Sequence, residues 1–362
     1  MKTYFSQLDQ MRVILHFLRC LTHLSVPFMV LPSVIWPMRA MAGHSEIADG
    51  FVFLVHLGIM EIFFVLNGFF AIQMLMKNDI KYFIINRLRR IFIPFLLGVI
   101  LLVPFIMTLG FSAKESLTLN DAFAKTIETF AAGTPTMAHL WSLWYLLIIY
   151  AIFLVFFQNK TNEIKVFLEK ISFTKMLFGV GTIALFSMFF YPRKYTLVPV
   201  NTWLEWQMIL YYCAFFAFGI WAFFNIKNIE KYKISPLIFL VYLVATIGNI
   251  LFQKTDNQLF IVILFGKMAY VSQAMSSIFV LYFLVKKYPT SEKILQHWSP
   301  IMYWVYWIEV PIAIAAHYCF LDKINPLILV FGTTFCTFVI AYFSYQFFLK
   351  NTKIGKLSGF AN

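Results

Sequence analysis

Apolar residues in this chain gather in long runs separated by short polar stretches. The runs cover residues 13–34, 51–76, 91–110, 140–157, 174–191, 206–224, 235–252, 258–285, 300–320 and 327–349. As a helix, a run of about 20 residues crosses about 30 Å of hydrocarbon. The pattern predicts an all-α polytopic membrane protein with about ten transmembrane helices. Connections on one side are short and basic, as in "NDIKYFIINRLRR" and "NIKNIEKYKIS". Two on the other side are longer, near 111–139 and 192–205, and the middle of the first has helical character. No repeat of 20–50 residues and no Gly/Pro/Ser-rich linker divides the chain, so a single transmembrane domain over 1–362 is expected. The opening "MKTYFSQLDQMR" is polar and lacks the apolar core and cleavage site of a signal peptide.

Composition supports this pattern. The chain is 61% hydrophobic and 12% charged, with a mean hydropathy of +0.78, far from the balance of a soluble domain. Its net charge of +13 raises the question of nucleic acid, which the positions of the charges answer. With a cytoplasmic N-terminus, 20 of the 29 Lys and Arg fall in cytoplasmic segments and seven outside, while Arg19 and Lys267 lie within spans. The positive-inside rule then sets both termini in the cytoplasm, with the lipid bilayer and not nucleic acid as the partner. Cys20, Cys213, Cys319 and Cys336 sit in or at the ends of spans, without metal-ligand spacing.

The first span is unusual in its charge. "RVILHFLRCLTH" places Arg12, His16, Arg19 and His23 among Leu, Ile, Val and Phe. At 100° per residue they fall at about 0°, 40°, −20° and 20°, a single narrow stripe that must face protein or a watered cavity rather than lipid. Arg12 stays at the cytoplasmic edge, and His23 lies about 16 Å further along. His23 reads either as a structural histidine or as a general base that takes a proton from a hydroxyl. The second span carries His56, Glu61 and Asn67, the last two about 24 and 15 Å from the cytoplasmic face. Glu309 in the ninth span lies about 14 Å deep, level with His23. It could orient the imidazole, as the third member of a triad does, or pair with Arg19.

"RLRRIFIP" opens the third span with Arg87, Arg89, Arg90 and Pro94. It reads as a positive-inside anchor or as a phosphate clamp, because guanidinium groups match phosphate oxygens. Arg87 and Arg90, at i and i+3, would share a helix face, with Arg12 entering from the same side. Such a mouth suits a nucleotide-phosphate donor such as acyl coenzyme A. "HLWSLWYL" carries His139, Trp141, Trp144 and Tyr145, either an aromatic belt or the lining of an external mouth for sugar rings. Trp203 and Trp206 read as belt residues.

Together "LDQMRVILHFLRCLTH", "FFVLNGFF", "RLRRIFIP", "HLWSLWYL" and "YWIEVP" resemble, in order and spacing, the acyltransferase 3 family of bacterial integral membrane acyltransferases. Within it the chain looks most like the glucans biosynthesis protein C branch, assigned to succinylation of periplasmic glucans. The resemblance implies ten spans in the bacterial inner membrane. It also implies transfer of an acyl group from cytoplasmic acyl-CoA, a donor substrate and not a resident cofactor, to an extracytoplasmic carbohydrate hydroxyl. Arg12 and His23 match the family's first-span pair; Arg87, Arg90 and Pro94 match its Arg-x-x-Arg motif and following proline. The sequence departs from the pattern at Asn67 for Ser, at Glu309 for the branch's His and at Ile59 for its Arg. His16 and Arg19 are additions. On this reading Arg12, Arg87 and Arg90 hold phosphates and His23 is the base. Glu309 or Glu61 orients it, and Asn67 or Arg19 offsets charge on the thioester oxygen. His139, Trp141, Trp144 and His56 are candidates for acceptor contacts. A transporter or flippase of an envelope glycan, or an inactive relative serving as an assembly partner, are the alternatives.

Overall fold

The computed structural model describes residues 2–31, 36–133, 136–157, 161–192, 203–231, 235–256 and 259–360. Most of the second long loop, with Arg193 and Lys194, lies outside these, as do Lys160 and Lys233 of the charge count. Among the described residues there are helices and no strands, apart from an isolated bridge between Met29 and Ser45. The helices are α1 (Lys2–Ser25), α2 (Glu46–Lys77), α3 (Ile80–Arg87), α4 (Ile93–Glu115), α5 (Leu119–Ala131), α6 (Trp141–Phe157), α7 (Thr161–Lys170) and α8 (Phe173–Phe189). They continue with α9 (Trp206–Phe224), α10 (Ile226–Lys231), α11 (Leu237–Lys254), α12 (Phe260–Lys287), α13 (Glu292–Phe320), α14 (Pro326–Ser344) and α15 (Lys353–Leu357).

Among the described residues, eight segments are long and apolar enough to cross a membrane, and a ninth is reached if α7 and α8, bent by 102°, count as one span. Of the ten predicted, α1 falls short in hydropathy, because its polar stripe dilutes the apolar residues, and α8 is 17 residues long. The protein is thus an all-helical, multi-pass membrane protein. Boundaries moved where local chemistry intervened. The first span ends at Ser25, not 34, in a 3₁₀ turn Val26–Phe28 that contains Pro27, since proline has no N–H to continue a helix. The third span starts earlier than predicted, because a π turn at Leu88–Phe92 joins α3 to α4 and leaves the arginine-rich stretch helical. The ninth begins at Glu292, capped by Ser291, and carries Pro300 inside it. The helical stretch expected in the first long loop is α5, whose Thr118 cap accepts from Asp121 N.

Packing explains why α1 tolerates its charges. It is enclosed by α13, α2, α14 and α12, so the stripe faces protein. Helix α2 packs extensively on α9, and glycines make the close approach possible. A Cβ on Gly68 would meet the Phe216 carbonyl, and one on Gly219 would meet the Val65 carbonyl. Small residues at such crossings let membrane helices pack backbone to backbone. Lys267 on α12 is the other cation within a span. Its ammonium donates to the carbonyls of Met188 (2.6 Å), Phe189 (3.3 Å) and Tyr191 (2.8 Å), capping the end of α8. A buried amine is thereby paired with the carbonyls at a helix end.

Candidate active site

Glu309 is the centre of the polar cluster. It is 1% exposed; its Oε1 accepts from Arg19 Nε (2.6 Å) and His23 Nδ1 (3.2 Å), and Arg19 Nη2 lies 2.5 Å away in an ion pair. The two partners weighed for Glu309 from sequence therefore meet on a single oxygen. Glu309 Oε2 is buried with no hydrogen-bond partner. A carboxylate only accepts, so the His23 Nδ1 carries the proton, and in the neutral ring the lone pair is on Nε2. This is the arrangement in which a carboxylate holds an imidazole in the tautomer that can act as a base. His23 is not fully enclosed and retains 15% side-chain exposure.

Tyr306, one turn before Glu309 on α13, holds the arginine from the other side. Arg19 Nη2 donates to the Tyr306 carbonyl (3.2 Å), and the guanidinium lies 4.1 Å from the Tyr306 ring centre. The Tyr306 hydroxyl donates to the His139 carbonyl (2.8 Å) and accepts from Ser142 (2.9 Å), tying α13 to the start of α6. His139 is buried, with Nε2 at 3.2 Å from the Trp307 carbonyl and Nδ1 unpartnered. Its position is within electrostatic range of Arg19, Glu309 and His23. The His56 ring lies 5.9 Å from that of His23, and the His16 ring 6.0 Å from Tyr306. Trp36, from the loop after α1, stacks on His23 at 5.6 Å and 27° and donates its indole N–H to His317 Nδ1 (3.2 Å). Five of the seven histidines thus collect around one ion pair. Tyr306, Trp36 and His317 were given no role from sequence. A histidine within a span is itself a signal of function, so His317 was within reach of the rule that picked out His23.

Glu61 has a different position from the one expected. Its Oε1 accepts from Tyr211 (2.8 Å) and its Oε2 from Gly58 N (3.0 Å). Helix α2 breaks at Leu57 and Gly58, the latter at φ 120°. Glu61 caps the new N-terminus from three residues inside, as an acidic residue in a capping box does. Across the break, the Phe53 carbonyl accepts from Gln273 Nε2 (2.6 Å) and the Leu54 carbonyl from the Tyr242 hydroxyl. The Glu61 hydrogen bonds therefore serve the break that presents His56 and do not reach His23.

The other end of the stripe holds the arginines. Arg12 pairs with Asp9 (3.2 Å), and its guanidinium lies 3.8 Å over Phe70. Arg87 lies over Phe83 (5.0 Å) and Tyr150 (4.8 Å), with its Nε buried and unpartnered. Arg12 and Arg87 are close enough for their charges to act on each other. Asn67 belongs here and not beside the base. It accepts from the Tyr150 hydroxyl (3.0 Å) and donates to the Phe63 carbonyl (2.9 Å), which orients the tyrosine against the arginines. Arg90 parts from Arg87, because the π turn widens the helix and removes the shared face assumed for i and i+3. It is exposed, and its charge acts on Tyr303 and Tyr345 instead. Pro94 keeps the two ends in register by accepting from Trp307 Nε1 (3.1 Å). Trp141 and Trp144 are packed against other rings. Trp141 lies 5.5 Å from Tyr212, and Trp144 stacks on Phe95 at 5.8 Å.

Fold and cluster define a polytopic membrane protein with an imidazole held ready by a buried carboxylate. The sequence pattern of the acyltransferase 3 family, an acyltransferase domain, matches residues 5–346. The chain belongs to this family, whose general activity is acyl transfer within a membrane. No curated protein and no solved structure matches it.

Proposed function

We propose that this protein is an O-acyltransferase of the bacterial inner membrane. It takes a short acyl group, acetyl or succinyl, from cytoplasmic acyl-CoA and passes it to a hydroxyl of an extracytoplasmic glucan or polysaccharide. The observation that carries this reading is a single helix with Arg12 at one end, beside Arg87, and His23, held by Glu309, eleven residues along. That separation, about 16 Å of helix rise, is of the order of an extended pantetheine arm. Arg12 and Arg87 bind the donor's phosphates, with Arg90 at the rim, and the thioester reaches inward along the stripe. His23 Nε2 takes the proton of the acceptor hydroxyl as its oxygen bonds to the acyl carbon. The carbon–sulfur bond then breaks, and the sulfur leaves with that proton. Glu309 stabilises the transient imidazolium, and Arg19 keeps Glu309 in place. Similarity to the glucans biosynthesis protein C branch favours a glucan acceptor.

The test uses purified full-length protein in detergent, acetyl-CoA or succinyl-CoA, and a glucan. Coenzyme A release coupled to acylated glucan is expected. His23→Ala should lower it by about 10²–10⁴-fold, the range for a lost general base. Normal turnover by that variant would remove the mechanism.

A further inference from the structure

His317 is a buried imidazole, 1% exposed, that the acyl-transfer chemistry leaves unused. Its Nε2 lies 3.2 Å from the Leu24 carbonyl, next to His23 at the end of α1. A carbonyl here accepts only, so Nε2 carries the proton and Nδ1 is the acceptor for Trp36 Nε1–H. The reason Leu24 needs this donor lies in the sequence. The residue three further on, where a 3₁₀ turn would supply an N–H, is Pro27, which has none. His317 thus fixes both the end of the base-bearing helix and the ring stacked on the base. The indole also bridges two apolar clusters, that of Leu21, Leu24 and Ala313 and that of Met38, Val310 and Ile314.

We propose that Trp36, positioned by His317, is the wall of the acceptor site that makes it prefer a sugar hydroxyl over water. This rests on the reading of His23 as the base. Trp36 covers one face of the imidazole, His56 lies 5.9 Å from it and Glu309 holds Nδ1, so an acceptor approaches along the Nε2 edge beside the indole. A sugar carrying the hydroxyl packs its C–H groups against the part of the half-buried indole left open beside the imidazole, whereas water brings nothing to pack. Binding through a part of the substrate that does not react is what raises transfer above hydrolysis.

The decisive quantity is the ratio of acyl-CoA hydrolysis to glucan acylation, read as free acid against acylated glucan. Trp36→Ala should raise it roughly tenfold, the scale of one lost aromatic contact. His317→Ala should raise it likewise. His317→Gln should restore the wild-type ratio, because its carboxamide can donate to Leu24 and accept from the indole. Trp36→Phe keeps a ring without the N–H and should match His317→Ala, with no further change in the double variant. A second readout needs no turnover. The rate at which diethyl pyrocarbonate modifies His23, followed by peptide mass spectrometry, should rise in Trp36→Ala and in His317→Ala. An unchanged ratio and an unchanged His23 modification rate in both variants would overturn the proposal. Normal turnover by His23→Ala would overturn the base assignment and the wall's role with it. Where Trp36→Ala does not accumulate, Trp36→Phe against His317→Gln decides by the same two measurements.

Discussion

At the scale of single residues, the site is governed by what a carboxylate costs inside a membrane. Glu309 is buried, and Arg19 supplies one hydrogen bond and a close ion pair to one of its oxygens. Removing one member of a buried pair leaves the other charge unpaired, which costs about 3–5 kcal/mol, whereas replacing both with apolar groups of similar size is often neutral. Arg19→Met should therefore lower stability by about that amount, as read by thermal unfolding in detergent. Arg19→Met with Glu309→Met should recover most of it while remaining inactive. Much of this cluster was legible beforehand. Helical spacing put Arg12, His16, Arg19 and His23 on one stripe, and counting depth set Glu309 level with His23. Depth could not show that one oxygen would take both partners. Trp36 was out of reach, since it lies in a loop with Pro27 and Pro37 and meets His317 across 281 residues of chain.

At the scale of the element, the break in α2 is the feature that positions the second imidazole. Gly58 sits at φ 120°, and a Cβ there would also run into Ser277. Alanine where φ is positive destabilises by more than about 1 kcal/mol. Gly58→Ala should lower the melting temperature and activity together. Gly50→Ala, on the same helix with open space around it, should leave both near wild type. The break was hidden in the sequence because no proline marks it. "HLGIMEIFF" reads as continuous span, and Glu61, weighed as catalytic chemistry, is the residue that caps the second half. The arginine motif misled for a related reason. Ordinary helical geometry put Arg87 and Arg90 on one face, and a π turn separated them.

At the scale of the whole molecule, hydropathy was the strongest signal, because lipid demands long apolar helices whatever their partners. It was weakest where function intrudes, in α1, whose polar stripe drops it below the threshold the other spans pass. The charge bias predicts that the end of α2 faces the cytoplasm and the end of α4 faces out. In intact cells, with Cys319→Ser and Cys336→Ser as background, a membrane-impermeant maleimide should label Lys114→Cys. It should reach Lys77→Cys only after the membrane is opened. Labelling of Lys77→Cys from outside with Lys114→Cys protected would reverse the proposed sidedness of donor and acceptor. Finally, the lysine that caps α8 comes late in the chain. Lys267 is synthesised 79 residues after Met188, whose carbonyl it takes. Before α12 the same helix end already has the Tyr191 N–H on the Met188 carbonyl and Gln207 of α9 on that of Phe190. Lys267 therefore adds the charged clasp to an end that its own turn and its nearest neighbour in sequence have already begun to close.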